Sequence, residues 1–544
     1  MLSLVFVRDF FVYLFINRVN QCKSVSNFLA AAKGRAGKSV VKKGFVYLVG
    51  AGPGRADLIT VRGAEVLRSA DCVIYDKLVN PALLKLAPHN AEIIPVPKRT
   101  GGDSVTQEQI NKLLIEKASG GKTVVRLKGG DPCIFGRCAE ELAVLADAGI
   151  DFEIVPGVTA GIAAADYTGI VLTDRYFSSQ VVFVTGQEAE GKQQSNIDWK
   201  WLAKFGGTIV FYMGMGNLDS ITERLVENNM AADMPAAVIA DATLPTQRVI
   251  KASLGRLSKK CKDEKIEPPA VVIIGPAADS NTRLDWFTKK PLFGKNIVVT
   301  RDTEGNAAFA AKIICRGGNP IEFATIKIKP LTGKNDFLRA LAKICDFDWV
   351  IFTSGNGVSI FFEALQVLGK DARVFGSAKI AAIGSETAAK LCEFGIKADF
   401  IPNVFTGKQL GKQLMCFTDL RGKRILLLRS QAASNELVGI LEQSGAEVLN
   451  TPVYDIVEQK SKCDWLIEKI GKGEIDWLTF ASPSSAKAFF EQVPIGAVNS
   501  KDVKVASIGP ATSEQLKNLG VRVDVTAKEH TIDGLLDAIE KTHV

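Results

Sequence analysis

The stretch VVRLKGGDPCIFGRCAEE, residues 124–141, decides the fold of the first half of the chain. It begins as an apolar strand, ends in Gly129, Gly130 and Asp131, and is broken by Pro132 before a helical segment. Glycines let a backbone approach a ligand closely, and a neighbouring carboxylate can bind a hydroxylated ligand. The stretch therefore predicts a strand–loop–helix unit with a backbone cradle in its loop.

The helical part of this stretch carries an acid–base pair. Arg137 and Glu140 are three residues apart, so they lie on one helical face. This spacing predicts an ion pair. A surface pair of no functional importance is the alternative, because exposed ion pairs contribute little to stability.

A second glycine run lies upstream, where the apolar stretch VYLVG leads into GAGPG at residues 50–54. A dinucleotide site is one interpretation, and Asp71 and Asp76 follow at about the distance that such a site requires. That motif needs a third glycine where Arg55 stands. A tight turn and a dinucleotide site both stay open for this run when it is considered alone.

Apolar strand-like runs alternate with helical patterns along the first half. Over residues 44–175 this alternation predicts an α/β fold with a largely parallel sheet, and residues 180–290 continue the pattern. Prolines cluster after residue 267. We therefore predict a linker near 280–293.

The second half, 294–544, contains an internal repeat. Three pairs of segments match, with offsets of 128 residues for the first two and 125 for the third: NIVVTR (296–301) with RILLLR (424–429), WVIFTS (349–354) with WLTFAS (477–482), and KIAAIGSET (379–387) with KVASIGPAT (504–512). A repeat of this kind predicts two similar α/β lobes. It does not assign each strand to a lobe.

Composition restricts the classes of function. The chain has 544 residues, 47% apolar, with a net charge of +8 spread among acids and bases. We therefore expect no nucleic-acid interface. Ten cysteines without a CxxC pair predict reduced thiols in a cytoplasmic protein, and we interpret the closest pair, Cys133 and Cys138, as small core residues. Three histidines make a metal site or a histidine triad improbable.

Residues 1–16 form an apolar run, interrupted by Arg8 and Asp9, that is too short for a membrane span and has no signal-peptide pattern, and residues 17–43 are polar and lysine-rich. We expect 1–43 to be a poorly ordered appendage. A membrane-surface helix is the alternative.

Hydroxyl and arginine side chains follow the repeated apolar runs of the second half. In an open α/β lobe, ligands bind beyond the carboxyl ends of the strands, and small hydroxyls with free helix-start amides suit carboxylates. Any single serine or threonine there is more simply a helix cap. The predicted substrate-binding set is Arg301, Thr353, Ser354, Ser385, Arg429, Ser482 and Thr512.

The first half resembles the uroporphyrinogen-III C-methyltransferases over essentially all of 45–280. The motifs fall in the order of that family: GAGPG, YDKLV (75–79), PKR (97–99), RLKGGDPxxFGR, VPGVTA (155–160), LTDR (172–175), VTGQ (184–187) and FYMG (211–214). The resemblance implies two α/β domains, about 44–170 and 171–290, with the active site in their cleft, and a homodimer. It also implies that S-adenosylmethionine methylates uroporphyrinogen III twice, giving precorrin-2.

The same resemblance implies roles for individual residues. Asp76 matches the proton acceptor and Lys98 the proton donor, while Arg137, Glu140 and Arg175 match residues on the substrate side. The methyl-donor site would consist of Pro53, Gly129, Gly130, Asp131, Ile134, Thr159, Ala160, Met213 and Ala242.

Three positions depart from the family pattern. Arg55 stands in place of an aspartate, and Asp174 and Gln187 stand in place of histidines. Asp174 puts a negative charge near a substrate with eight carboxylates, and Gln187 cannot titrate. These departures bear on turnover more than on binding of the methyl donor.

The second half resembles uroporphyrinogen-III synthase through FTSGNGV (352–358), IAAIGSET (380–387), FASPSS (480–485) and SIGPAT (507–512). The resemblance implies closure of hydroxymethylbilane with inversion of its last ring. Tyr454 matches the residue that assists the departing hydroxyl, although a packed strand tyrosine is nearly as good an interpretation. It also implies two chain crossings, with one lobe from 294–328 plus 456–544 and the other from 330–453.

The sequence thus predicts a bifunctional enzyme that cyclises hydroxymethylbilane and methylates the product, in sirohaem, cobalamin or haem biosynthesis. Three alternatives stay open. They are a methylase for another acceptor, a nicotinamide oxidoreductase, and a tetrapyrrole-binding protein without turnover. Tetrapyrroles are the expected small-molecule partners, with no metal, nucleic acid or membrane.

Overall fold

The structure, a computed structural model, describes residues 43–96, 105–176, 178–188, 195–279, 282–459, 463–500 and 502–542. The chain divides into two compact units, Met1–Thr159 and Ala160–Val544. Lys98 and nearly all of the appendage 1–43 lie outside the described residues.

The first unit contains a five-stranded sheet with the order β3-β2-β4-β1-β5, and every neighbouring pair in it is parallel. This agrees with the α/β fold and the parallel sheet that the alternation predicts. Its elements are β1 (Phe45–Gly50), α1 (Val61–Arg68), β2 (Cys72–Tyr75), β3 (Glu92–Pro95), α2 (Gln107–Ser119), β4 (Thr123–Lys128), α3 (Cys138–Asp147) and β5 (Asp151–Val155).

Helices α1 and α2 of this unit begin at side chains that bind free backbone amides. Thr60 accepts a hydrogen bond from the Gly63 amide before α1, and Thr106 and Gln109 form a reciprocal capping box at the start of α2. Helices α2 and α3 pack on the same face of β4, against a core of buried residues such as Ile110, Leu114 and Val124.

The second sheet has the order β6-β7-β10-β8-β9. Only β6 and β7 pair in parallel, while the other pairs are antiparallel, so the prediction of a continued parallel sheet is wrong here. Direction depends on which remote strand lies alongside, and apolar periodicity does not report it. The elements are α4 (Ala160–Asp166), β6 (Val181–Thr185), α5 (Trp199–Ala203), β7 (Thr208–Tyr212), α6 (Leu218–Glu227), β8 (Pro235–Ala240), β9 (Arg248–Ser253), α7 (Leu254–Asp263) and β10 (Ala270–Ile274).

Two further sheets form the lobes of the second half. Lobe one has the strand order β12-β11-β18-β19-β20. Its elements are β11 (Asn296–Val299), α8 (Thr303–Cys315), β12 (Asn319–Glu322), α14 (Asp464–Gly471), β18 (Trp477–Phe480), α15 (Pro483–Phe490), α16 (Ile495–Asn499), β19 (Lys504–Ser507), α17 (Pro510–Asn518), β20 (Val525–Thr526) and α18 (Ile532–Glu540).

Lobe two has the strand order β13-β17-β16-β14-β15. Its elements are β13 (Ile326–Pro330), α9 (Asn335–Ala342), β14 (Trp349–Phe352), α10 (Gly355–Val367), β15 (Lys379–Ala382), α11 (Ser385–Glu393), α12 (Gly407–Phe417), β16 (Arg424–Ser430), α13 (Glu436–Gln443) and β17 (Glu447–Glu458). The crossing segments β13 and β17 pair antiparallel with each other. The lobe boundaries that the resemblance implies, at 328–330 and 453–456, fall inside these two strands, whereas both strands lie whole in the sheet of lobe two.

The repeated segments occupy equivalent places in the two sheets. Strands β11, β18 and β19 follow one another in lobe one as β16, β14 and β15 do in lobe two. Trp349 and Trp477, 128 residues apart in the repeat, begin matching strands and are 2% and 0% exposed. Partners in each matched pair therefore belong to different lobes.

Within the described ranges, the helices are all too short or too polar to cross a bilayer.

Candidate functional sites

Three loops of the first unit meet at the carboxyl ends of neighbouring strands. Gly52 and Gly130 exchange backbone hydrogen bonds of 3.2 and 3.0 Å. A Cβ atom added to Gly157 would lie 2.3 Å from the Gly130 carbonyl oxygen, and one added to Gly50 would lie 2.6 Å from the Gly157 Cα. The backbones approach so closely that only glycine fits at these positions. They form the backbone cradle that the glycine runs predict.

Asp131 joins two of these loops. Its carboxylate oxygens accept hydrogen bonds from the backbone amides of Cys133 at 2.8 Å and Gly157 at 3.0 Å. Gly129, beside it, is exposed, whereas Gly130 is buried. Asp131 thus fixes the shape of the cradle, and Gly129 marks its accessible side.

Several residues with unusual backbone angles lie in the loops for which the sequence predicts ligand contacts. Phe135, Arg137, Met213, Asp241 and Thr243 all have φ values between +48° and +73°. Such values are uncommon outside glycine, and for a β-branched threonine they are an outlier. Strained conformations of this kind concentrate at functional sites.

Asp76, the predicted proton acceptor, belongs to a buried charge network. Its Oδ1 accepts a hydrogen bond of 2.5 Å from Arg126, which is fully buried. Arg126 also donates to Glu141, and Lys128 donates to the other oxygen of Glu141 at 2.7 Å. Gln107 donates to the same carboxylate at 3.2 Å. Two cations and two anions therefore balance one another in the interior.

The ionisation of Glu141 follows from this network. Burial alone would raise its pKa, but the adjacent charges of Arg126 and Lys128 outweigh burial and hold the pKa of Glu141 below its usual value. The carboxylate is therefore charged although it is completely buried.

Arg126, Lys128 and Glu141 were not predicted from the sequence. A signal was present, because Arg126 and Lys128 are two residues apart in an otherwise apolar strand and must point to the same face. Glu140, chosen instead of Glu141, forms an exposed bidentate pair with Arg137 at 2.7 Å, and both side chains are half exposed. The spacing of that pair is confirmed, and its geometry is that of a surface ion pair.

The interpretation of both cysteines as core residues is wrong for one of them. Cys138, at the start of α3, is 5% exposed, but Cys133 lies in the preceding loop and is exposed. A loop that leaves a strand end has no second layer above it, so its side chains stay accessible.

The geometry of the first glycine run argues against a dinucleotide site. After GAGPG the chain forms a short 3-10 turn, Ala56–Leu58, and helix α1 begins only at Val61. A dinucleotide motif needs the helix to open at the glycines, so that its amides face the pyrophosphate. Arg55, in place of the third glycine, is nearly buried and ion-paired with Asp57.

Asp174 and Gln187 are the other two positions that depart from the family pattern. Asp174 has a hydrogen-bond partner nearby in the chain, and Gln187 is exposed. Asp174 accepts a 2.7 Å hydrogen bond from the Tyr176 amide within a tight turn, where its charge meets a backbone donor. Gln187 is exposed, and its backbone amide donates to Thr185 Oγ1 at 3.2 Å. Arg175 is exposed beside Asp174.

The predicted methyl-donor residues belong to both compact units. Pro53, Ile134 and Thr159 lie in the first unit with the cradle. Met213 and Ala242 follow strands β7 and β8 in the second unit, in which Ala160 is the first residue of α4. Met213 is 48% exposed, and Thr243 beside Ala242 is held by Gln247 at 2.9 Å.

In the second half, Tyr454 and Ser354 form a hydroxyl pair 2.9 Å apart. Ser354 also caps α10 by accepting a hydrogen bond from the Gly357 amide at 3.0 Å. Burial raises the pKa of Tyr454, the Ser354 hydrogen bond opposes that rise, and the charge of Asp302 adds to it. Tyr454 therefore keeps its proton at neutral pH.

A pocket of about 280 Å³ opens beside this pair in lobe two. Its lining includes Thr353, Arg429 and Tyr454 from the predicted set, with Thr406 and Lys408 at the start of α12. Thr406 and Lys408 were not predicted from the sequence, because α12 lies outside the three segments by which the repeat was identified.

Arg429 uses most of its hydrogen-bond donors within the protein. It is 3% exposed and donates to the carbonyl oxygens of Ala433 and Ser434 and to Asn435 Oδ1. Its Nε has no hydrogen-bond partner among the described residues, and burial lowers the pKa of its guanidinium group. Arg429 shapes the pocket wall and retains one unmatched donor.

The remaining predicted residues are not part of this pocket. Ser482 caps α15 by accepting from the Ser485 amide at 3.1 Å, Ser385 is exposed at the start of α11, and Arg301 is half-buried after β11. Thr512 is 2% exposed, and its role in substrate binding stays a prediction. It packs inside the first turns of α17, where the helix covers the sheet.

No cluster of metal-ligating side chains occurs in the parts of the chain that the structure describes.

Two protein families match the chain. Residues 46–258 match the tetrapyrrole (corrin/porphyrin) methylases, and residues 307–537 match uroporphyrinogen-III synthase HemD. The porphyrin biosynthesis protein HemD of Ruminiclostridium josui is 38% identical over 504 residues, which cover 92% of this chain and 98% of that protein.

Two other relatives match only the first half. The S-adenosyl-L-methionine-dependent uroporphyrinogen III methyltransferase of Methanosarcina barkeri is 44% identical and covers 43% of this chain and 91% of its own length. The solved uroporphyrin-III C-methyl transferase of Thermus thermophilus, complexed with S-adenyl homocysteine, is 36% identical. It covers 43% of this chain and 98% of its own, with a TM-score of 0.37.

Proposed function

The chain belongs to the family of the porphyrin biosynthesis protein HemD, a fusion of a tetrapyrrole methylase domain with a uroporphyrinogen-III synthase domain, and we propose that it performs two consecutive reactions. The second half closes hydroxymethylbilane to uroporphyrinogen III. The first half methylates that product twice to precorrin-2, with S-adenosylmethionine as the methyl donor. The proposal rests on the observation that one chain contains both domains. Each domain has a candidate site whose side chains suit its reaction.

The close-packed cradle of the first unit supports binding of the methyl donor. Gly50 and Gly157 leave no room for side chains, and Gly130 has a φ of +68°, so a ligand there meets backbone groups and the exposed Gly129. The donor supplies a methyl group on a positively charged sulfur. The loop carboxylate of Asp131 provides negative charge and acceptor oxygens near the cradle.

Asp76 is suited to remove a proton from the pyrrole substrate. Its carboxylate is 25% exposed, so a substrate can reach it, while Arg126 holds Oδ1 from the buried side. A pyrrole carbon becomes a better nucleophile as a nearby proton departs, so an oriented base assists methylation. Lys98, Met213 and Ala242 stay predictions for this site.

Tyr454 is suited to assist the departing hydroxyl of hydroxymethylbilane. Ser354 can donate its proton to the Tyr454 oxygen because its own oxygen already accepts from the Gly357 amide. The Tyr454 proton is then available to the leaving hydroxyl, and its raised pKa keeps that proton in place. Arg429 lines the same pocket, where its positive charge attracts a carboxylate of the substrate.

A coupled assay tests both reactions. Purified protein receives hydroxymethylbilane with and without S-adenosylmethionine, and the products are separated by chromatography. We expect the type III isomer without the methyl donor and a dimethylated product with it. Only the spontaneously formed type I isomer would contradict the synthase assignment. Absence of dimethylated product from added uroporphyrinogen III would contradict the methylase assignment, and a different methylated acceptor would indicate another corrin-pathway methylase.

A homodimer through the methylase half is part of the same proposal. Size-exclusion chromatography with light scattering measures it directly.

A further inference from the structure

Cys133 and Cys138 face each other across the loop between β4 and α3. Their Sγ atoms are 3.5 Å apart, Cys133 is exposed and Cys138 is 5% exposed. We propose that this dithiol is an oxidation site, at which a hydroperoxide forms an intramolecular disulfide that reversibly weakens methyl-donor binding. The effect on methylation rests on the proposed function of the first unit.

The geometry permits the bond. A disulfide has an S–S length of about 2.0 Å, so the sulfurs must approach by about 1.5 Å from their separation of 3.5 Å. The exposed Cys133 side chain can rotate toward Cys138, which is fixed by the packing of α3. Among the described cysteines, this is the pair whose sulfur atoms are in contact.

The two cysteines have different roles in the reaction. Burial, together with the smaller effect of the Cys133 hydrogen bond, raises the pKa of Cys138 to about 12, so Cys138 stays protonated. The exposed Cys133 is the sulfur that a peroxide reaches first. It attacks one peroxide oxygen, the O–O bond breaks, and Cys133 becomes a sulfenic acid while the other oxygen leaves as water or an alcohol.

Cys138 then completes the oxidation. Its sulfur attacks the Cys133 sulfenic sulfur, the S–O bond breaks, and the hydroxyl leaves with the Cys138 proton as water. Overall, two thiols lose two electrons and two protons, and one hydroperoxide is reduced. A dithiol reductant reverses the change by thiol–disulfide exchange.

The loop between the cysteines connects the bond to the cradle. The Cys133 amide donates to Asp131, whose other oxygen holds the Gly157 amide. Ile134, a predicted methyl-donor contact, lies between the cysteines, beside Phe135 with φ +53°. A loop in a strained conformation has few alternative conformations. Because the Cys133 amide is hydrogen-bonded to Asp131, we expect a movement of Cys133 to displace Asp131 as well. A misplacement of about 1 Å in a site can cost on the order of 100-fold in activity.

The full chain contains its own control. The synthase half lies outside this loop, so its activity reports any general damage by peroxide. Full-length wild type, Cys133→Ser and Cys138→Ser are treated with hydrogen peroxide and then assayed for both reactions, with and without dithiothreitol. Binding of S-adenosylhomocysteine is measured by calorimetry, and the 133–138 linkage by peptide mass spectrometry.

We expect wild type to form the linked peptide and lose methyl transfer at least about tenfold, with recovery after dithiothreitol and unchanged synthase activity. In both serine variants, peroxide treatment should change the methyl-transfer activity by less than about twofold. A linked peptide without an effect on S-adenosylhomocysteine binding, equal losses in the variants, or no linked peptide would overturn the proposal. Calorimetry tests the effect of oxidation on ligand binding separately from the proposed methylation. The proposed methylation fails only if the reduced protein does not methylate uroporphyrinogen III.

Discussion

The two candidate sites are held in place by different forces. In the first unit, Asp76 is fixed by the fully buried ions Arg126, Lys128 and Glu141, and the adjoining loops pack backbone against backbone. In the second half, Tyr454 is fixed by a neutral hydroxyl pair at the start of a helix. A buried charge without its partner is far more costly than a lost neutral hydrogen bond. The candidate site of the first unit should therefore tolerate substitution much less than that of the second half.

The largest difference is expected between adjacent glutamates. Glu141→Gln leaves Arg126 and Lys128 with a single anion, so we expect a loss of about 3–5 kcal/mol in the free energy of unfolding of the methylase half. Glu140→Gln removes only an exposed pair and should change it by less than about 1 kcal/mol. Urea denaturation of both variants measures this contrast, and equal effects would show that the network does not hold the fold.

The pH dependence of the same variant sharpens the test. The folded-state pKa of Glu141 is lowered, so its charge stabilises the fold above the unfolded pKa of about 4.3 and this contribution is lost as the pH falls through the lower folded value. The difference in the free energy of unfolding between wild type and Glu141→Gln should therefore be constant near neutral pH and become smaller only below about pH 4. Narrowing near pH 7 would point to another group.

The next effect concerns the glycine cradle. The Cβ of Gly157→Ala would lie 2.3 Å from the Gly130 oxygen, so the loops must separate, at a cost of about 1–3 kcal/mol. Methyl-donor binding measured by calorimetry should be lost while synthase activity remains. Gly120→Ala is the matched control, because its nearest neighbour would be 3.4 Å away. Normal donor binding by Gly157→Ala would rule out the cradle as the donor site.

A smaller effect is expected in the synthase half. Tyr454→Phe keeps the packed ring and removes the hydroxyl, and the hydroxyl of hydroxymethylbilane departs readily even unaided. We expect kcat for ring closure to fall about tenfold, about 1.4 kcal/mol, with methylation of added uroporphyrinogen III unchanged. An unaltered kcat would leave Tyr454 as a packing residue only.

The smallest effect is expected at Asp174. Asp174→Asn keeps the oxygen that accepts from Tyr176 and removes one negative charge, so the free energy of unfolding should change by less than about 0.5 kcal/mol. If uroporphyrinogen III passes near this turn, its KM should fall by about two- to threefold. Steady-state kinetics at low salt measures the change, and a raised KM would contradict a repulsive role for Asp174.

Much of the architecture could be predicted from local pattern. The apolar runs at VYLVG, RILLLR and WLTFAS became strands in which buried residues predominate, and glycine runs marked the loops that approach most closely. The direction of the second sheet could not be predicted in this way, because an antiparallel strand and a parallel one can share the same apolar run.

The choice between Glu140 and Glu141 shows the same limit. Helical spacing correctly pairs Arg137 with Glu140, since both lie on one turn. Which carboxylate is buried depends on the face of α3 that packs against β4, and only that packing brings Glu141 to Arg126 and Lys128.

By itself, the sequence determined the strand and helix segments, the order of the two domains, and the repeat at 128 residues, because side-chain periodicity and glycine placement are local properties of the chain. Only the tertiary structure decided that matched repeat segments lie in different lobes and that Arg126 and Glu141 stand behind Asp76. Both depend on contacts between residues distant in the chain, which form when strands cross between lobes and when α3 covers β4.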